Sequence, residues 1–358
     1  MLGALIFALV VAFALGLGLA EWVRRNARRL RMIDEPNARS SHSQATPRGG
    51  GLGIYIGFLI LGLMAAFGGL PLPVPDHFIV WLLAFTLLAA VGFADDRGHI
   101  PPPARLAVHA GAAVLALYAL GWPSLMMPLL GTLPHAIATM LLAVALIWLI
   151  NLFNFMDGID GIAGIEVVTV LLGLVLVVLA IDGNVTAAMV WPLILIAGCA
   201  GFLVWNWSPA KVFMGDAASG FLGLALGVML LDATNRFGVD PIAALILPGV
   251  FMVDASWTLL RRVIRRQRVH QAHRSHAYQR GSRLWGARLQ RAGVTPDRAR
   301  ARAHRGVSMT VAAINLFWLL PWSAVAAHFP DFAWSALVVA YLPLIAAAVS
   351  LGAGVIDD

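Results

Sequence analysis

Apolar residues in this chain are gathered into blocks. Nearly unbroken apolar runs cover residues 2–20, 50–69, 78–94, 104–120, 136–153 and 163–181. Five more cover 187–205, 219–231, 241–260, 308–328 and 332–352. Most reach roughly 17–22 residues, enough to cross about 30 Å of hydrocarbon as helix. The run at 219–231 is shorter and is expected to be tilted or extended by its flanks. Membrane β-strands would show alternating segments of about 10 residues, and none are visible. The pattern predicts an all-α, polytopic helical membrane protein with about eleven transmembrane helices, folded as one domain over residues 1–358.

Composition agrees. Of 358 residues, 60% are hydrophobic and only 12% charged, with a mean hydropathy of +0.83. Soluble domains carry about 25% charged residues. The first run has no basic residues before it and five after it (Arg24, Arg25, Arg28, Arg29, Arg31), the wrong polarity for a cleaved signal and the right one for an N-out, C-in first span.

Threading the later runs from that start places 24 of the 25 Lys and Arg residues on inside loops, leaving only Arg236 outside. The net charge of +7 is therefore a topology signal and no argument for nucleic acid. It also suits anionic membrane lipids. The single Cys199 excludes an intrachain disulfide and a cysteine-rich metal site.

The inside loops hold the chemistry. The first, IDEPNARSSHSQATPRGGG, ends in Gly49–Gly51 at a helix start, where free N–H groups are expected to face an anion; an ordinary turn is the alternative. In GFADDRGHIPPPAR, Asp95 and Asp96 are adjacent at a helix end, an arrangement that a cation would relieve, unless that end is simply solvated. NLFNFMDGIDGIAG has no Lys or Arg to neutralise Asp157 and Asp160. If helical, it would place Asn154, Asp157 and Asp160 roughly on one face, with Gly158 and Gly161 allowing a break.

Asp216, in WNWSPAKVFMGDAASGFLG, would by itself be read as a helix N-cap. It gains weight as the sixth aspartate on the inside rim, after Asp34, Asp95, Asp96, Asp157 and Asp160. Such hard oxygen ligands favour Mg²⁺ or Mn²⁺. The basic cytoplasmic loop, residues 261–307, spaces His270, His273 and His276 among arginines, which suits phosphate better than zinc. For the arginines alone, a surface amphipathic helix is the better reading. Acids able to hold a divalent cation and bases able to hold phosphate, facing one compartment, are what phosphoryl transfer needs.

Taken together and in order, DEPNARSSH–PRGGG, FADD, NLFNFMDGIDGIAG, VFMGDAASGFLG and HRSHAYQR resemble the polyprenyl-phosphate N-acetylhexosamine-1-phosphate transferase family, glycosyltransferase family 4. The resemblance implies transfer of a sugar 1-phosphate from a UDP-N-acetylhexosamine to undecaprenyl phosphate, with release of UMP, at the cytoplasmic face of a bacterial inner membrane.

By motif position, Asp216 resembles the family's Mg²⁺ ligand, and Asp95, with Asp96 beside it, the residue that activates the lipid phosphate. Asn154, Asp157 and Asp160 match nucleotide-sugar and metal-proximal positions. Asn206 and Phe213 match contacts to the nucleoside and its base. His273 and His276 match a histidine motif near the phosphates, and His42, Arg48, Arg105 and Arg280 are further candidate substrate contacts. A homodimer is expected by analogy only.

Two departures argue against a muramoyl-pentapeptide donor: the histidines are split as H–RS–H, and the first loop lacks that branch's lysine. HRSHAYQR is closer to the O-antigen-initiating branch, whose donors include UDP-GlcNAc and UDP-N-acetylfucosamine. The rival from another class is a secondary transporter using intramembrane carboxylates, of which Asp254 in the ninth run would be one.

Overall fold

The computed structural model describes residues 1–36, 44–98, 100–121, 133–184, 187–267 and 273–355. His42 and His270 lie outside the described residues. In chain order, α1 spans Leu2–Leu30, α2 Leu52–Ala66, α3 Phe78–Arg97, α4 Pro102–Ala119, α5 His135–Met156 and α6 Ile162–Asp182. Then come α7 (Ala187–Asn206), α8 (Asp216–Phe237), α9 (Pro241–Ile246), α10 (Gly249–Ile264), α11 (Ala277–Arg291), α12 (Pro296–Ile314), α13 (Leu320–His328) and α14 (Ala333–Ser350). A two-stranded antiparallel ribbon pairs β1 (Ile33–Asp34) with β2 (Thr46–Pro47), Ile33 opposite Pro47.

The protein is a polytopic helical membrane protein. Among the described residues, eight helical segments are long and apolar enough to cross a membrane: α1, α3, α5, α6, α7, α8, α12 continued through α13, and the segment Pro330–Ser350. The three remaining apolar runs are helical but do not meet that measure by themselves. Two of them form α2 and α4, and the run at 241–260 is broken into α9 and α10 at Leu247–Pro248. Pro248 lacks an N–H, and its ring clashes with the preceding turn, so one continuous helix is disfavoured there.

At the centre stands α8, 94% of whose most apolar 18-residue window is buried. Its start, Asp216-Ala-Ala-Ser-Gly, has small side chains that let α3 and α5 come close. Gly92 on α3 faces that start: a Cβ there would lie 2.4 Å from the carbonyl carbon and oxygen of Asp216. The Asp95–Asp96 end of α3 is thereby held against the N-terminus of α8.

The run beginning at residue 308 is helical throughout, but it passes through a π-turn at Asn315–Leu319. Asn315 there donates to Glu166 of α6 at 2.7 Å and to Thr169 at 2.8 Å. Glu166 is fully buried, a deep carboxylate that the reading of Asp254 alone had overlooked. Among its described residues, the basic loop holds the end of α10, all of α11 and the first turns of α12.

Candidate active site

Four of the inside stretches and two helices of the basic loop, α11 and α12, meet at one cavity of about 210 Å³. Its lining carries Asp34, Asp96, Asp157, Asp160 and Asp216, together with Arg48 and His304. Asn206, Phe213 and Gln279 complete the polar and aromatic part of the wall.

Asp96 is only 1% exposed and accepts the backbone N–H groups of Asp216 and Ala217, at 3.1 and 3.2 Å. It is a helix cap supplied from another helix, set where the N-terminal N–H groups of α8 lack partners. Arg48 lies 3.7 Å from the same carboxylate and donates to the Asp96 carbonyl.

Asp95 lies behind the cavity wall. It accepts the N–H of Ile100 at 2.7 Å and pairs with Arg105, which also reaches Asp216 at 3.3 Å. One guanidinium thus joins Asp95 to Asp216. From α5, Asn154 donates to the other Asp216 oxygen at 2.8 Å.

Asn154, Asp157 and Asp160 do not share a helix face. The helix stops at Met156, Asp157 is its C-terminal cap residue, and the next helix starts only after Gly161, whose φ of +78° suits glycine. The break aims the two aspartates differently. Asp157 makes no side-chain hydrogen bond among the described residues. Burial, then the charges of Asp216, Asp96 and Asp160, push its carboxyl well above the ordinary range.

Asp160 has partners. His304 is 3.2 Å from its carboxylate, the N–H of Ala210 donates to it at 3.2 Å, and Ser308 donates to its carbonyl at 3.0 Å. Burial alone would raise its pKa. The His304 hydrogen bond and charge, the Ser208 hydroxyl and the Ala210 N–H together outweigh that and hold it below the usual value.

Asn206, buried within the wall, joins two loops: it accepts the N–H of Gly161 at 3.0 Å and donates to the carbonyl of Val212 at 2.9 Å. The backbone beside Phe213 is tied to the first loop, with its N–H on the Pro47 carbonyl at 2.8 Å.

Several expectations are corrected by this geometry. The N–H groups of Gly50 and Gly51 face no anion, because they donate to the Phe213 and Met214 carbonyls at 2.9 and 3.0 Å. His273, His276 and Arg280 do not line the acidic cavity. His276 is buried, stacked between His273 and Tyr278, and 3.4 Å from Asp254. Arg280 donates to the carbonyls of Leu351 and Val355 at 2.6 and 3.0 Å, holding the segment after α14.

The reason lies at the start of α11, which needs an anionic cap. Asp254 of α10 provides it, accepting the N–H groups of Ala277 and Tyr278 at 2.8 and 2.9 Å. The histidines pack around that junction. Two wall residues, His304 and Gln279, were missed. His304 gave no local signal, being one polar residue in a run of arginines, and only the fold of α12 against Asp160 brings it in.

The model of glycosyl transferase family 4 matches residues 78–234. A Bacillus subtilis protein named probable undecaprenyl-phosphate N-acetylglucosaminyl 1-phosphate transferase is 25% identical over 77% of this chain and 76% of its own length. A Mycolicibacterium smegmatis decaprenyl-phosphate N-acetylglucosaminephosphotransferase is 33% identical over 73% of this chain and 69% of its own. A Haemophilus influenzae undecaprenyl-phosphate alpha-N-acetylglucosaminyl 1-phosphate transferase is 31% identical, over 73% and 72% respectively. With the matched segment running from the start of α3 almost to the end of α8, through most of the acidic wall, the chain belongs to glycosyl transferase family 4.

Proposed function

We propose that the protein transfers an N-acetylhexosamine 1-phosphate from its UDP derivative to undecaprenyl phosphate at the cytoplasmic face of a bacterial inner membrane, starting O-antigen or a related envelope glycan. The observation that carries this reading is the convergence of five carboxylates from four separate stretches on one small cavity. The relatives' names support the polyprenyl phosphate and N-acetylglucosamine classes. The spaced HRSHAYQR stretch supports the O-antigen branch.

In this reaction an oxygen of the lipid phosphate attacks the β-phosphorus of the donor. The bond from that phosphorus to the oxygen bridging the two phosphates breaks, and UMP leaves with the bridging oxygen. A phosphate monoester is largely ionised at neutral pH, so no strong base is required. Asp95 is engaged with Arg105 and Ile100 and acts by holding Arg105, whose guanidinium reaches Asp216 in the cavity wall. Arg48, set beside Asp96 in the cavity lining, also meets negative charge. Phe213 and Asn206 shape the side that receives the nucleoside.

The donor set fits Mg²⁺ or Mn²⁺. Asp157 and Asp216 would hold the cation, with Asn154 fixing the orientation of Asp216. Among the described residues no three His, Cys, Asp or Glu side chains are grouped as a closed metal site. Two carboxylates would suffice for Mg²⁺, which usually takes one or two and completes its shell with substrate phosphate and water. When bound, the cation neutralises charge on the diphosphate.

The transporter reading is disfavoured because the deep carboxylates have internal partners: Glu166 with Asn315, Asp232 with Arg236, and Asp254 with the start of α11. A panel of UDP-N-acetylhexosamines, assayed with purified protein, polyprenyl phosphate and Mg²⁺ for UMP release, tests the proposal. Release from none of them removes it.

A further inference from the structure

A second chamber of about 470 Å³ adjoins the acidic cavity and shares Asp160, Phe213 and His304 with it as a common wall. Its charge is opposite. Arg298, Arg300, Arg302 and Arg305 line it, against Asp160 and Asp297. Arg298, Arg302 and Arg305 fall at i, i+4 and i+7 on α12 and so share one helix face. Arg300 is paired with Asp297 at 2.9 Å. The volume falls within the range of small-molecule sites.

We propose that this chamber is a landing site for a nucleoside phosphate, holding it by its phosphate on the far side of Phe213 and His304 from the acidic cavity. The inference rests on the transferase reading for the identity of the nucleotide. The acidic cavity is lined by five carboxyl groups against one arginine and one histidine, so it offers an anionic nucleotide little attraction until a cation is present. An adjoining concave surface of the opposite sign concentrates that nucleotide next to the wall it must pass, and it receives the released monophosphate by the same charge.

The lining separates this ligand from a lipid headgroup. Apart from the shared Phe213, the apolar residues are Pro209, Ala210 and Ala301, which offer no channel for acyl chains. An aromatic ring beside guanidinium and amide groups suits a base with a phosphate attached.

The test uses the full chain in nanodiscs of zwitterionic lipid, without acceptor lipid, and calorimetric binding of UMP, inorganic phosphate and uridine. In the Arg298→Gln/Arg302→Gln/Arg305→Gln triple variant, UMP and phosphate should bind about tenfold more weakly. Uridine should be unchanged, and the corresponding triple Lys variant should restore binding. In turnover, UMP product inhibition should weaken while kcat at saturating donor stays the same.

Unchanged UMP affinity in the triple Gln variant overturns the proposal. So does a wild-type protein that binds UMP no better than uridine, or an effect confined to nanodiscs of anionic lipid, which would assign the arginines to the membrane surface. Because binding is read without turnover, a protein that shows the UMP effect but transfers no sugar phosphate keeps this chamber and loses the transferase reading. A protein that transfers without the UMP effect does the reverse.

Discussion

Asp96 closes the first turn of the helix that begins at Asp216, each of its carboxylate oxygens accepting one of the helix's first two N–H groups. The same device recurs where Asp254 closes the start of α11. In both cases a carboxylate on one helix fixes the position and direction of another, across 120 and 23 residues of chain respectively. Asp96 is a fixed element of the wall, which leaves Asp157 and Asp216 among the lining groups able to meet a ligand.

Removing that cap should be costly. Asp96→Ala leaves two buried N–H groups without partners, and a loss of roughly 1–3 kcal/mol is expected. Asp96→Asn keeps one acceptor oxygen and should lose less. Thermal unfolding in detergent gives the order wild type, Asn, Ala. Equal stability of all three would remove the cap from the account.

Gly92→Ala tests the contact between α3 and α8 without touching a polar group. Its Cβ would collide with the Asp216 backbone, so Asp216 must shift relative to Asp96 and Arg105. A misplacement of about 1 Å can cost on the order of 100-fold in rate. We expect kcat to fall by about that factor while the protein still inserts and folds. An unaffected kcat would show that this contact does not set the site.

Much of this site was legible in the sequence, and the reason is local. Glycines and aspartates at the ends of apolar runs mark the polar rim whatever the tertiary packing, so Asp96, Asp157, Asp160 and Asp216 could be named from their loops. Partners fixed by packing between distant helices could not be named. His304 reaches Asp160 only because α12 lies along the loop after α5, and Asp254 finds the start of α11 only once α10 has been turned by Pro248. The histidines were placed near phosphate for a similar reason: their spacing was visible, while the helix start they pack around was not.

Asp157 should show a conflict between stability and function. Its ionised form is unfavourable in the folded protein, because burial and three neighbouring carboxylates oppose it. Asp157→Asn should therefore raise the unfolding temperature in the absence of divalent cation, show no further rise with Mg²⁺ where the wild type is expected to show one, and lose activity. A variant that is less stable without Mg²⁺ contradicts this.

His273 should make the protein acid-sensitive. Burial, then the charges of His276 and Arg262, bring its pKa from 6.5 down to about 3. Between those values the unfolded chain binds a proton that the folded chain refuses, so stability is full above pH 6.5 and falls as pH drops toward 3. His273→Gln should flatten the dependence of unfolding temperature on pH in that window. An unchanged slope would assign the acid sensitivity to another group.

Direct attack by the lipid phosphate forms no covalent enzyme intermediate. With donor labelled in the β-phosphate, Asp95→Asn should slow turnover without trapping label on the protein. A labelled, phosphorylated chain would require a covalent route.

Purified protein given a UDP-N-acetylhexosamine, polyprenyl phosphate and Mg²⁺ provides the most direct measurement: UMP counted against lipid-linked diphosphate sugar, for wild type, Asp157→Asn and Asp216→Asn. The arrangement of carboxylates predicts equal amounts of the two products from wild type and neither from the variants. Undiminished UMP release by Asp216→Asn, or none by wild type with any donor, would contradict it.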